Sequence, residues 1–188
     1  MQKVKFLILV WLAIPFVTFV YGQDTNCNNH TFYIVRHGEK DTGSNPILSA
    51  AGRKRAGDLY RVLKDKKIDL IFVSQYQRTA MTSDSLRLYK NIDTIHYTAD
   101  ATAEALFKKI NSLSCKQKNI LIIGHSNTLP SIIRRAGVNN YTPKEIPDYE
   151  YDNLFVVRQT RKKAILTNKK FGVVSVLSTK SGQMKISQ

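Results

Sequence analysis

A three-layer α/β/α sandwich, with a mainly parallel sheet and an antiparallel edge hairpin, is the fold this sequence predicts. Two observations carry it. Short apolar runs rich in β-branched and aromatic residues alternate with segments of helical periodicity between Thr31 and Ala136, and such alternation builds parallel sheets covered on both faces. Past Ala136 the alternation stops, and two strand-like runs, Leu154 to Val157 and Ala164 to Thr167, lie close enough to pair as a hairpin across Gln159 to Lys163. With 188 residues the chain has room for one domain with a good core, assigned to residues 23–188.

Residues 1–22 stand apart from that domain. Lys3 and Lys5 precede a charge-free apolar run from Phe6 to Val20, and Val20-Tyr21-Gly22 follows where a peptidase would cut. This is the pattern of a secretory signal peptide, so the protein is expected to be exported, either periplasmic or secreted. An uncleaved membrane anchor is the alternative, because the run is only slightly shorter than the ~20 apolar residues a spanning helix needs. Export gives the cysteine pair a meaning, since an oxidising compartment favours a disulfide between Cys27 and Cys115. Each lies four residues before a strand, at Thr31 and at Asn119, so parallel neighbouring strands would bring both sulfurs to one edge of the sheet.

The first strand starts at Thr31 and runs directly into Arg36, His37 and Gly38. A polar loop from Lys40 to Leu48 follows, and Ser49 caps a helix with Ala56, Leu59, Tyr60 and Leu63 on its apolar face. Arg53, Lys54, Arg55, Arg61 and Lys64 are expected to form the solvated basic surface of this helix. Leu70 to Val73 is a second strand ending at Ser74, and a helix from Gln77 to Tyr89 places Arg78 in its first turn. Thr94 to Tyr97 is a weak third strand, followed by a helix with Ala103, Leu106, Phe107, Ile110 and Leu113 on one face. The strand from Ile120 to Ile123 then reaches His125 and a helix through Leu129, Ile132 and Ile133. Gly137 to Asp152 is a loop with an acid and tyrosine run, Asp148-Tyr149-Glu150-Tyr151-Asp152.

Four stretches carry chemistry: Val35-Arg36-His37-Gly38-Glu39; Ser49-Ala50-Ala51-Gly52; Ser74 to Thr82 with Arg78-Thr79 inside it; and Gly124-His125-Ser126-Asn127. In this order, with three of them at strand ends, they resemble the histidine phosphatase superfamily, also called phosphoglycerate-mutase-like, over roughly Thr31 to Val157. The likeness is greatest to the small capless phosphatases that include phosphohistidine phosphatases. Strand ends are where ligands bind in open α/β sheets. The resemblance implies His37 as nucleophile, with Arg36, Arg78 and His125 forming the phosphate pocket.

Residue chemistry agrees with those roles. Two guanidinium forks match a phosphate dianion with bidentate, charge-assisted hydrogen bonds, and Arg36 and Arg78 are those forks. A neutral imidazole nitrogen of His37 can attack phosphorus and form a phosphohistidine, with the other nitrogen fixed by a backbone carbonyl. His125 is expected to serve best as a cation that neutralises charge on the phosphoryl oxygens. The expected binding set is Arg36, Arg78, His125, Ser126 and Asn127; no metal and no cofactor is called for. A departing alkoxide also needs a proton. Relatives of the mutase type place a Glu after the third strand, where no matching segment occurs, and the candidates are Asp100 first, then Glu104, Glu39 and Asp41.

The expected function is a metal-independent phosphatase cleaving phosphomonoesters or phosphoramidates, acting as a monomer on a phosphorylated small molecule or an exposed phosphorylated protein group. No large cap fits between Arg78 and His125, so the pocket should be shallow and open. Two other readings stand beside it: an inactive phosphate-binding module, and a basic surface-adhesion protein. The second draws on the net charge of +15 and on a segment after Asp152 with eight Lys or Arg and no acid. Such a segment could meet nucleic acid or an anionic surface, but charged edge strands that resist pairing are commoner, and nucleic acid is not expected as a partner. Membrane contact is expected only if the leader stays uncleaved.

Overall fold

The computed structural model describes residues 29–114 and 116–175. The leader and both cysteines lie outside the described residues. Six strands form one mixed sheet in the order β3-β2-β4-β1-β5-β6. They are β1 (Thr31–Arg36), β2 (Leu70–Ser74), β3 (Thr94–Tyr97), β4 (Asn119–Gly124), β5 (Asn153–Gln159) and β6 (Ala164–Lys170). The first four run parallel, while β5 is antiparallel to both β1 and β6. The α/β class with an antiparallel edge hairpin is therefore the observed architecture. No helix among the described residues is long and apolar enough to cross a membrane.

Strand sequence explains the layering. In β4, Ile120 and Ile122 join Phe32, Ile34 and Phe72 in one core, whereas Leu121 and Ile123 join Val35, Ile71 and Val73 in another. Alternate side chains point to opposite faces of a strand, so strands without polar interruptions require cover on both sides. Helices α1 (Ala50–Leu63) and α2 (Gln77–Lys90) supply Leu59, Leu63 and Leu86 to the second core. Helices α3 (Glu104–Asn111) and α4 (Leu129–Arg135) supply Leu106, Ile110, Ile132 and Ile133 to the first. The edge strand β6 is largely exposed and ends in Lys169 and Lys170, charges that discourage further pairing.

Two expectations need correction here. Ala103 and Leu113 lie outside α3, and Ala103 precedes it in a left-handed conformation (φ 57°), although it packs in the core. Arg55 is not on a solvated face. It is 5 % exposed and donates through Nε and Nη2 to the Glu39 carboxylate, and through Nη1 to the carbonyls of Phe171 and Val173. Its helix position abuts the chain beyond β6, a neighbour that periodicity within α1 does not report. The remaining basic residues of that surface, Arg53, Lys54, Arg61 and Lys64, are exposed as expected.

Candidate active site

β1 and β4 are neighbours, but their chains leave to opposite faces, into α1 and α4, and the crevice between such strands is where α/β sheets bind ligands. Arg36 is in register with Gly124. The His37 N–H extends the ladder by donating to the Gly124 carbonyl at 3.0 Å, so His37 and His125 emerge together with ring centroids 5.2 Å apart. On the other side of β4, β2 ends at Ser74 and α2 carries Arg78 in its first turn. All four residues line an open cleft of about 450 Å³, with Ser126, Asn127 and Asp100 also on its wall.

Close backbone approach holds this corner. A Cβ on Gly52 would fall 2.0 Å from the Glu39 carbonyl oxygen, and one on Gly38 would fall 2.9 Å from that of Gly52. Only glycine permits the loop after β1 to lie against the start of α1. Thr82 joins the loop to α2, because its Oγ1 accepts from the Gly38 N–H at 2.9 Å and donates to the Arg78 carbonyl at 2.7 Å.

The hydrogen bonds define the protonation of both histidines. Nδ1 of His37 lies 2.7 Å from the Gly38 carbonyl, which can only accept, so Nδ1 carries the proton and Nε2 keeps its lone pair. Burial outweighs that bond and, with electrostatic contributions from His125 and from the Arg78 and Arg36 guanidinium groups, lowers the His37 pKa from the ordinary 6.5 to about 3. For His125, Nδ1 lies 3.3 Å from Arg78 Nη2 and Nε2 lies 2.8 Å from Ser74 Oγ. A guanidinium only donates, so Nδ1 accepts and Nε2–H donates to Ser74. Burial, then Arg78 and Arg36, bring this pKa to about 4. The expectation of a cationic His125 is thus corrected for the empty cleft: burial first, and then two nearby guanidinium groups, keep it neutral.

Arg36 is also not the open fork that was expected. Its Nη1 donates to the carbonyls of Pro147 and Asp148 at 3.1 and 2.9 Å, and its Nη2 donates to Asp148 Oδ1 and Tyr151 Oη at 3.2 and 3.4 Å. The loop before β5 therefore clasps the guanidinium. Only Nε is left, buried and without an acceptor, and Arg78 Nε is in the same state. Each arginine also stacks on a tyrosine, Arg36 on Tyr151 at 4.1 Å and Arg78 on Tyr76 at 4.3 Å. Those rings reach the histidines too, with centroids 6.1 Å from His37 and 5.2 Å from His125.

The carboxylates are arranged otherwise than expected. Asp100 lines the cleft, but its Oδ1 accepts from Thr102 N, Thr102 Oγ1 and Glu104 N, and its Oδ2 accepts from Ala105 N. Desolvation pushes its pKa up, yet the bonds from Thr102, Ala105 and Glu104 prevail and hold it below its ordinary value. It caps the start of α3 as a carboxylate. Glu39 is engaged by Arg55, and neither Asp41 nor Glu104 is on the cleft wall, where the other acids are Glu145 and Asp148. No group of three or more His, Cys, Asp or Glu among the described residues is placed to hold a metal ion.

Residues 32–101 match the family model of the histidine phosphatase superfamily, branch 1. Over that stretch the chain is similar to the histidine phosphatase superfamily. No curated protein matches it by sequence. Solved phosphatase structures share its fold at low identity. A protein assigned as the phosphohistidine phosphatase SixA of Agrobacterium tumefaciens is 19% identical with a TM-score of 0.53, the match covering 76% of this chain and 97% of that one. The protein histidine phosphatase SixA complexed with tungstate is 14% identical (TM-score 0.52; 74% and 96% covered). A mutant phosphoserine phosphatase from Entamoeba histolytica, in complex with phosphoserine, is 14% identical (TM-score 0.56; 76% and 96% covered).

Of the residues that build this cleft, the sequence reading missed Tyr76, Thr82, Glu145, Asp148 and Tyr151. Tyr76 and Thr82 lie inside a stretch already singled out, but nothing local distinguishes them from helix surface. The acid and tyrosine run before β5 was visible as composition, without any sign that it folds over Arg36. A pH dependence follows from the two histidines. Their native pKa values, about 3 and about 4, lie below the ordinary 6.5, so below pH 6.5 the unfolded chain binds protons that the native state refuses. Their contribution is present above pH 6.5 and should be lost progressively as pH falls toward 4. Urea midpoints measured from pH 7 to pH 4 should decline, and His37→Ala should flatten the decline; an unchanged slope would contradict the neutral assignment.

Proposed function

We propose that the protein is a metal-independent phosphatase that cleaves phosphomonoesters or phosphoramidates through a phosphohistidine on His37. One observation carries this reading: a neutral His37 with Nδ1 engaged shares the cleft with two guanidinium groups that each retain a buried N–H without an acceptor. An unsatisfied buried donor costs about 1–3 kcal/mol, more when charged, and an anion in the cleft is the ligand that would relieve both. The superfamily match and the fold shared with phosphatases support the same chemistry.

In the first step the Nε2 lone pair of His37 attacks phosphorus, and the bond to the leaving atom breaks with its electron pair. Water then attacks the phosphohistidine, the P–N bond breaks, and its pair returns to Nε2. Arg36 Nε–H and Arg78 donate to the phosphoryl oxygens. His125 is neutral in the empty cleft, but a dianion beside it favours its protonated form, so it becomes a cation when one is needed. The roles of Ser126 and Asn127 are confined to lining the substrate side of the cleft.

Phosphate release across a panel of alkyl, aryl and N-linked phosphates tests the activity; no release from any member would remove it and leave a phosphate-binding module. Binding of vanadate tests the pocket. Arg78→Ala should weaken it by about 1.5–3 kcal/mol, the range for hydrogen bonds to charged groups, whereas Arg53→Ala on the exposed face of α1 should not. Equal affinities in the two variants would place Arg78 outside the phosphate site.

A further inference from the structure

Expulsion of an alkoxide from phosphorus requires a proton donor at the cleft, and the structure engages nearly every acid that could serve. Asp100 caps α3 through four hydrogen bonds. Glu39 holds Arg55. Asp148 lines the cleft, but its Oδ1 is taken up by Arg36 Nη2 at 3.2 Å. The cleft wall has one more carboxyl group, that of Glu145. None of the ion pairs among the described residues uses it.

The backbone around Glu145 is fixed relative to both halves of the site. The N–H of the next residue, Ile146, donates to the Ser126 carbonyl at 2.9 Å, and the Ile146 side chain is buried in the core. One residue further, the Pro147 carbonyl accepts from Arg36 Nη1 at 3.1 Å. The two residues that follow Glu145 are thus tied to the turn after His125 and to the arginine before His37. Its own side chain is exposed at the rim, where a leaving group would depart toward solvent.

We infer that Glu145 is the proton donor to the leaving group, and that the natural substrates are consequently phosphomonoesters of alkyl alcohols. The inference rests on the phosphatase reading. As His37 Nε2 bonds to phosphorus, the P–O bond breaks with its pair going to oxygen. That oxygen takes the Glu145 proton and departs as the alcohol. The resulting carboxylate then takes a proton from the attacking water as the P–N bond breaks, which restores the acid and releases orthophosphate.

The test compares kcat/KM for β-glycerophosphate and p-nitrophenyl phosphate in the full chain, since kcat/KM reports events up to leaving-group expulsion. Gln keeps the size of Glu but has no proton to donate. Glu145→Gln should lose about 100-fold or more on the alkyl ester, within the range of general acid catalysis. It should change little on the aryl ester, whose nitrophenolate leaves unprotonated and whose turnover also reports an intact fold. Equal losses on the two esters, or no loss on either, would overturn the assignment. Residual turnover by His37→Ala would instead overturn the phosphohistidine reading, so the two failures are distinguishable.

Discussion

His37→Ala should abolish turnover of every phosphate substrate while the protein stays folded. On the proposed mechanism the second histidine cannot take over the attack, since His125 has both nitrogens engaged, Nδ1 by Arg78 and Nε2 by Ser74. A fall of about 10⁴-fold or more in kcat is the scale expected when a residue acting in concert with its neighbours is removed. The variant should keep its vanadate affinity within a few fold, because the guanidinium donors remain. Quenching the wild-type enzyme during turnover should yield an acid-labile, base-stable phosphoenzyme at His37. A phosphoenzyme at any other residue, or a variant with even a tenth of wild-type kcat, would end the covalent reading.

The second large effect concerns stability. Arg55→Ala should destabilise the fold by about 3 kcal/mol, the low end for removing one partner of a buried pair, because the Glu39 side chain is 25% exposed and keeps some hydration. The loss also frees the carbonyls of Phe171 and Val173 that Arg55 Nη1 now satisfies. Glu39 is two residues from His37, so loosening it should lower turnover as well. Arg61→Ala provides the contrast. Arg61 pairs with Asp58 on the exposed surface of the same helix, and such pairs contribute only about 0–1 kcal/mol. Urea midpoints of the two variants separate the cases, and a shift for Arg55→Ala no larger than that for Arg61→Ala would show that the Glu39 contact is not structural.

Legibility differed by element. β1, β2 and β4 were readable because each is an apolar run without a polar break, and a strand covered on both faces has no other composition available to it. The start of α1 was readable because Ser49 is a capping residue, and its side chain does accept from the Gly52 N–H. The start of α3 was displaced because Asp100 anchors the turn with its carboxylate, and an apolar periodicity that includes Ala103 does not distinguish a core residue in a turn from one in a helix. For Arg55 the local signal misled. A run of three basic residues on an amphipathic helix is ordinarily solvent-facing, and only the chain beyond β6, more than a hundred residues later, covers one of them.

What the sequence by itself determined is the set of strand ends and the residue types placed on them: Arg36 at the end of β1 and His37 directly after it, Arg78 beyond β2, His125 after β4. Burial pattern and chain breaks are properties of neighbouring residues, so they can be read locally. The tertiary structure decided that β4 lies between β2 and β1, which is what brings the three ends to one cleft. It also decided the charge state of both histidines, the closure of the Pro147 to Tyr151 segment over Arg36, and the conversion of Asp100 from candidate acid to helix cap. Each of these depends on desolvation and on which groups come within hydrogen-bonding reach. For Arg36 those groups stand 111 to 115 residues away along the chain, a separation at which no local pattern carries information.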